Sequence, residues 1–231
     1  MSAEVTVLVF GPLRERLGIA ELRERGATIA EVWSHMAEAH GLTAVPDGVR
    51  AALNLQYCDW DSAVTQGDVV AFLPPVAGGS GALALERARV HIASVPIDVA
   101  DASSVGGSGD GAVAVFVGRV RDHSDGHLVH GIDYEAYAEM ADSEMRNIAA
   151  DLLARGEISY VAITHRVGTL AVGDVSVVVA VAAPHRAAAL AACQDAIDMV
   201  KKTVPIWKRE HRDDGARWVD ARHGASLGAR R

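Results

Sequence analysis

A run of residues without bulk divides this chain. Pro74-Pro75 follows the apolar stretch VVAFL at 69–73 and leads into Val76-Ala77-Gly78-Gly79-Ser80-Gly81. Proline has no amide hydrogen to give a sheet, and glycine has no side chain to bury, so a core does not continue through this point. The 231 residues then read as two domains rather than one large one. The boundaries fall at 1–79 for a small domain, 80–88 for a linker and 89–231 for a larger domain.

The small domain has a compact pattern. Val5, Val7 and Val9 alternate with Thr6, Leu8 and Phe10, as an inner strand does. Gly11-Pro12 breaks it. Thr28 is placed to cap a helix carrying Ile29, Val32, Trp33, Met36 and Ala37, which Gly41 ends. Residues 49–57 and 69–73 read as two further strands, with Gly67-Asp68 turning into the last. This is a small α+β roll. The larger part opens on an alternating stretch, 90–99, and a Gly/Ser loop at 101–111. Strands follow at 112–120, 131–137, 158–165 and 175–182. Helices follow at 139–153 and 186–202, the second with Leu190, Cys193, Ile197 and Val200 on one face and Pro205 as its stop.

Composition excludes several classes. Half the residues are apolar and 23% are charged, an ordinary globular balance. A net charge of −8 argues against a broad nucleic-acid surface, which must neutralise phosphates. Cys58 and Cys193 are the two cysteines, so neither a disulfide framework nor a Cys-rich zinc site is expected, and a reduced, cytoplasmic protein is. No stretch approaches the roughly 18 apolar residues of a membrane span, and MSAEVTVLVF lacks the basic start of a signal peptide. His91, His123, His127, His130 and His165 show no metal-ligand spacing, so no metal is expected.

Four places can carry chemistry. Gly78-Gly79 is slender enough to thread a narrow channel, yet the same dipeptide serves as a plain linker, and another stands at 106–107. Residues 201–222 hold seven Lys/Arg against four Asp/Glu in an acidic chain. Trp207 and Trp218 make that segment a packed one, suited to an anionic small molecule or to a solvated charged face. Pro184-His185-Arg186 opens a helix, where unpaired amides favour anions. Phe116 to His123 runs a strand into Arg119 and Arg121, whose guanidinium groups suit phosphate.

Two sets of motifs then converge on one family. VTVLVFGPLRERLG and GDVVAFLPPVAGG resemble the small subunit of molybdopterin synthase, a ubiquitin-like β-grasp sulfur carrier ending in Gly-Gly. GAVAVFVGRVRDHSDG, YEAYAEMADSEM, THRVGTLAVGD, PHRAAALAACQDAIDMVKKTVPIWKRE and WVDAR resemble its large, catalytic subunit. The chain is thus similar to the two subunits fused, small subunit first. The resemblance implies an α+β protein, a β-grasp domain followed by an α/β hammerhead-type domain.

It also implies a reaction. A thiocarboxylate on Gly79 gives its sulfur to cyclic pyranopterin monophosphate, twice, to build the molybdopterin dithiolene. No cofactor is tightly bound, and an adenylating, ubiquitin-activating-type enzyme charges the tail. By the same resemblance Lys201 and Lys208 are the catalytic lysines. Arg121, His185, Arg186 and Arg222 hold the phosphate and pterin, and Phe116 is an apolar wall. The large-subunit domain forms a homodimer, whose pocket draws residues from either chain.

Two departures stand out. The Gly-Gly is internal, and the Gly79–Ser80 peptide bond removes the carboxylate that adenylation needs, which points to cleavage there. Ile206 stands where the family shows an aromatic residue. Two other readings compete with the sulfurtransferase: an uncut β-grasp interaction module, and a sulfur carrier fused to a degenerate pterin-binding domain.

Overall fold

The computed structural model describes residues 2–41, 48–74 and 86–219. It divides into two compact units, 1–79 and 80–231, each with its own core. Gly78, Gly79 and Ser80, most of the linker and Arg222 lie outside the described residues.

The first unit runs β1 (Ala3–Val9), α1 (Gly11–Leu17), β2 (Glu21–Gly26), α2 (Ile29–Ala39), β3 (Arg50–Leu53), β4 (Gln56–Cys58) and β5 (Val69–Leu73). Its sheet has the order β2-β1-β5-β3-β4, with β1 and β5 parallel and the other pairs antiparallel. Val5, Val7 and Val9 point to one face and are buried, as their alternation requires. Thr28 caps α2 by accepting from the Glu31 amide, and Glu31 accepts from the Ala27 amide at 2.7 Å. The buried face of α2 brings Trp33 edge-on to Phe72, with ring centroids 4.8 Å apart. This is the β-grasp architecture.

Two local readings change here, and one strand is new. Gly11-Pro12 ends β1 but also opens α1, proline being tolerated in a first helical turn. β2 (ELRERG) is a charged edge strand with no apolar alternation to reveal it. Residues 49–57 form a hairpin rather than one strand. Asn54 and Leu55 turn the chain with φ of 48° and 71°, the positive pair that a two-residue hairpin demands. Asn54 is anchored there, accepting from the Val69 amide and donating to Asp68, both at 2.9 Å. Leu55 has no such compensation, and its left-handed backbone costs about 1–2 kcal/mol.

The second unit comprises β6 (Ala88–Ala93), α3 (Val99–Ser103), β7 (Ala112–Arg119), β8 (His123–Ser124), β9 (His127–Ala136), α4 (Ala138–Ala154), β10 (Tyr160–Arg166), β11 (Gly168–Ala171), β12 (Val175–Ala183), α5 (Arg186–Thr203), β13 (Ile206–Arg212) and β14 (Gly215–Val219). One sheet is ordered β6-β10-β12-β7, with β6 and β10 parallel. A second is ordered β11-β9-β13-β14, with β8 also paired to β9. Helices α4 and α5 pack on the first sheet through Ile148, Leu152, Cys193 and Ile197. Strand β12 is buried almost throughout and accordingly reads as a continuous apolar run.

The alternating stretch at 90–99 stops at Ala93. Asp98 then caps α3 by accepting from the amides of Ala100 and Asp101. On α5, Cys193, Ile197 and Val200 are buried but Leu190 is 62% exposed. Ala189, Ala192 and Ala196 complete the buried stripe. At 3.6 residues per turn, Leu190 lies roughly 90° from that stripe's centre. The basic segment after α5 is a packed hairpin, β13-β14, turning at Asp213-Asp214.

Candidate functional site

The second unit contains a cavity of about 580 Å³, a size suited to a small molecule. Its walls come from β7, β9, β10, β12, β13 and the last turns of α5. Four of the expected site residues meet in it: Phe116, Arg121, Lys201 and Lys208.

Lys201 stands in the last turn of α5, where the helix dipole favours a cation. Its Nζ lies 5.7 Å from the centre of the Phe116 ring, a cation–π distance. It is exposed, and among the described residues it has no carboxylate partner. Lys208 is held differently. Residues 208, 210 and 212 of β13 share one face, because side chains alternate along a strand. Lys208 Nζ donates to Glu210 Oε1 at 3.0 Å. The other carboxylate oxygen, Oε2, accepts from Arg212 Nε at 2.9 Å and Nη2 at 2.7 Å. Glu210 and Arg212 are almost fully buried, with side chains 2% and 3% exposed. Burial alone would raise the Glu210 carboxyl. The neighbouring Lys208 charge and hydrogen bonds from Arg212, Lys208 and Ser124 outweigh it and hold the group below its usual value.

Arg119, Arg121 and His123 also line the cavity and are exposed, so they belong to its mouth. Arg119 Nη1 donates to the Gly173 carbonyl at 3.0 Å. Deeper, His165 is buried, and its Nδ1 lies 2.9 Å from the Arg166 carbonyl. Burial lowers its pKa to about 4, against the smaller opposite effect of that hydrogen bond, so the ring is neutral at pH 7. It meets the Tyr134 ring edge-on at 5.1 Å. Burial pushes the Tyr134 phenol up, while its hydrogen bond with Ser176 works the other way. Gly118 is needed in the wall: a Cβ there would come within 2.6 Å of Val177 Cγ1 and 3.2 Å of Phe116 Cε1.

His185 and Arg186 are not in this cavity. They stand at the start of α5, fifteen residues before Lys201, or about 22 Å along the helix. Glu210, Tyr134, Ser176 and His165 in the lining, and Arg212 behind Glu210, are site residues that motif reading missed, whereas Arg119 lies where the 116–123 motif places a phosphate-suited guanidinium. The alternation Lys208-Glu210-Arg212 was the available signal for two of them. Away from the cavity, His127, Asp213 and Asp214 bring ligand atoms within 4.8 Å of one another at the surface. There His127 lies 3.7 and 3.9 Å from the two carboxylates, and Arg217 lies 3.0 Å from Asp214, so a guanidinium of the chain already offsets one of the two carboxylates. No helix among the described residues is long and apolar enough to cross a membrane.

A β-grasp unit joined to an α/β hammerhead-type unit with two lysines in one cavity defines a two-domain fusion of carrier-like and catalytic-like parts. Comparison with known proteins agrees for each part. Residues 7–79 match the ThiS family, and residues 92–203 match the MoaE protein family. The molybdopterin synthase catalytic subunit 1 of Mycobacterium tuberculosis is 42% identical over 120 residues, covering 52% of this chain and 82% of that one. The catalytic subunit of Staphylococcus carnosus is 41% identical over 114 residues, covering 49% and 76%. The Drosophila willistoni catalytic subunit is 42% identical over 136 residues, 57% of this chain but only 37% of that longer protein. The crystal structure of molybdopterin synthase from Staphylococcus aureus superposes with a TM-score of 0.52 at 33% identity, over 58% of this chain and 98% of that one. The chain belongs to the molybdopterin synthase catalytic subunit family, and carries a ThiS-family domain ahead of it.

Proposed function

We propose that this chain is a molybdopterin synthase carrying its own sulfur source. It acts as a sulfurtransferase, moving sulfur from a Gly79 thiocarboxylate to cyclic pyranopterin monophosphate to form the molybdopterin dithiolene. The observation that carries the reading is the meeting of Lys201 and Lys208 with Phe116 and Arg121 around one cavity.

Each group has a task that its surroundings suit. Lys201, exposed and with no carboxylate partner among the described residues, faces the incoming thiocarboxylate. Its ammonium offsets negative charge as the sulfur bonds to a carbon of the pterin and displaces an oxygen leaving group from that carbon. It does so again as water then cleaves the bond from sulfur to the Gly79 carbonyl and returns Gly79 to a carboxylate. Lys208, fixed by Glu210, holds the pterin or an acyl group passed from Gly79. Arg121 takes the phosphate by paired hydrogen bonds, and Phe116 closes one side.

His185 and Arg186 cannot reach the same ligand as Lys201 within one chain, given the helix between them. A homodimer, in which the start of α5 in one copy completes the cavity of the other, accounts for both sets of residues. Arg222 is assigned to that shared pocket by family resemblance. Domain limits of 1–79 and 89–231 with cleavage between Gly79 and Ser80 follow from the need for a free carboxylate. The expected partners are the pterin and an adenylating enzyme of the ubiquitin-activating type, in the cytoplasm, with no nucleic acid or membrane partner.

The test is the intact mass of the protein isolated from its own host. A fragment ending at Gly79, with sulfur replacing one terminal oxygen, is the expected result. Full-length chain alone, with no sulfur on it, would overturn the carrier role.

A further inference from the structure

The inner wall of the cavity contains a polar group to which none of the steps above gives a task. We propose that His165 is a substrate-recognition residue: its Nε2 accepts a hydrogen bond from an N–H of the bound pterin ring. The identity of that ligand rests on the function proposed above.

The argument begins with the tautomer. His165 Nδ1 lies 2.9 Å from the Arg166 carbonyl oxygen. A carbonyl only accepts, so Nδ1 carries the proton, and in a neutral imidazole Nε2 is then a bare acceptor. Turning the ring over would forfeit that hydrogen bond, while the edge-on contact with Tyr134, at 5.1 Å and 76°, fixes the plane of the ring. The neighbouring hydroxyls are already committed. Ser176 donates to the Gly118 carbonyl at 3.3 Å and is also hydrogen-bonded with Tyr134.

The cavity is therefore polarised. Its exposed cations, Arg119, Arg121 and Lys201, are donors suited to an anionic end of a ligand. Its buried His165, 7% exposed, offers an acceptor to the other end. A planar heterocycle bearing both ring N–H groups and a phosphate matches that order. A ring without an N–H leaves a desolvated acceptor unpaired and is rejected.

Two substitutions separate recognition from structure. His165→Asn keeps a donor near the Nδ1 position for the Arg166 carbonyl but removes the cavity-facing acceptor. His165→Gln puts an amide oxygen near the Nε2 position. Equilibrium binding of cyclic pyranopterin monophosphate to the full chain is measured for all three proteins. The Asn variant is expected to bind about tenfold or more weakly, and the Gln variant to recover most of the loss. Unchanged binding by the Asn variant, beside normal wild-type binding, overturns this inference and leaves the proposed function standing. Failure of the wild type to bind overturns both. Should the Asn variant misfold, ¹⁵N resonances of the wild-type histidines decide the matter. The Nε2 signal of His165 is expected to shift on ligand addition, and a stationary signal overturns the inference.

Discussion

Lys208 and Glu210 stand two residues apart on one face of β13, 3.0 Å between ammonium and carboxylate, with Arg212 closing on the other carboxylate oxygen. The carboxylate thus holds a cavity lysine and neutralises a buried guanidinium at once. Glu210→Gln is expected to destabilise the second unit by about 3 kcal/mol, because Arg212 is left as a poorly compensated buried charge. Denaturant unfolding measures this. Lys208→Ala is expected to cost less, since Glu210 keeps Arg212.

Lys201 offers the opposite combination. It is exposed at a helix end with an aromatic ring as its neighbour. Lys201→Ala is expected to leave stability within about 0.5 kcal/mol of wild type. Sulfur transfer in a single-turnover assay with thiocarboxylated carrier is expected to fall at least 100-fold, roughly the loss seen on removing a preorganised charge. Retained transfer would remove Lys201 from the reaction.

Acid should reveal His165. Its folded-state pKa of about 4 lies below the ordinary histidine value of 6.5. Between those values the unfolded chain binds a proton that the folded chain refuses. Stability is therefore full above pH 6.5 and falls as pH drops towards 4, by about 3 kcal/mol from this group. Glu210 acts with the same sign in a lower window, since its depressed pKa removes stability below the ordinary carboxylate value of about 4.3. Unfolding free energies of wild type and His165→Asn, compared from pH 7 to 4, are expected to converge as pH falls. Parallel curves would mean the imidazole is not held neutral.

The wall beside Phe116 has no room for growth. Gly118→Ala places a methyl group 2.6 Å from Val177 and 3.2 Å from the Phe116 ring, so one of them must shift. A loss of about 1–3 kcal/mol is expected, together with weaker pterin binding because Phe116 forms the adjoining wall. Thermal unfolding and equilibrium binding check the two effects separately.

Much of the framework was readable where one physical rule acted alone. The Thr28 cap, the alternation of β1 and the apolar run of β12 each follow from period and capping, and the structure has them. The reading failed where local pattern and tertiary position diverged. β2 is held by pairing with β1 rather than by an apolar face, so nothing in ELRERG marks it as a strand. Leu55 occupies a turn that its own preference opposes, so the β3–β4 hairpin looked like one strand. In the site, Lys201 and Lys208 were visible as motif residues. Glu210 was counted only as one charge among many, because its meaning depends on Arg212 and Lys208 sharing a strand face. His165 was weighed solely as a metal ligand, since nothing in sequence spacing shows which ring nitrogen will be pinned.

The cations of the cavity are set in a chain of net charge −8. A phosphate-bearing molecule approaching from solution meets repulsion first and attraction only near Arg119, Arg121 and Lys201. Ions at physiological strength damp charges beyond about 8 Å. They weaken the distant barrier more than the close contacts inside the cavity. Moderate salt should then quicken capture of the anion instead of slowing it, reversing the usual behaviour of a basic anion-binding surface.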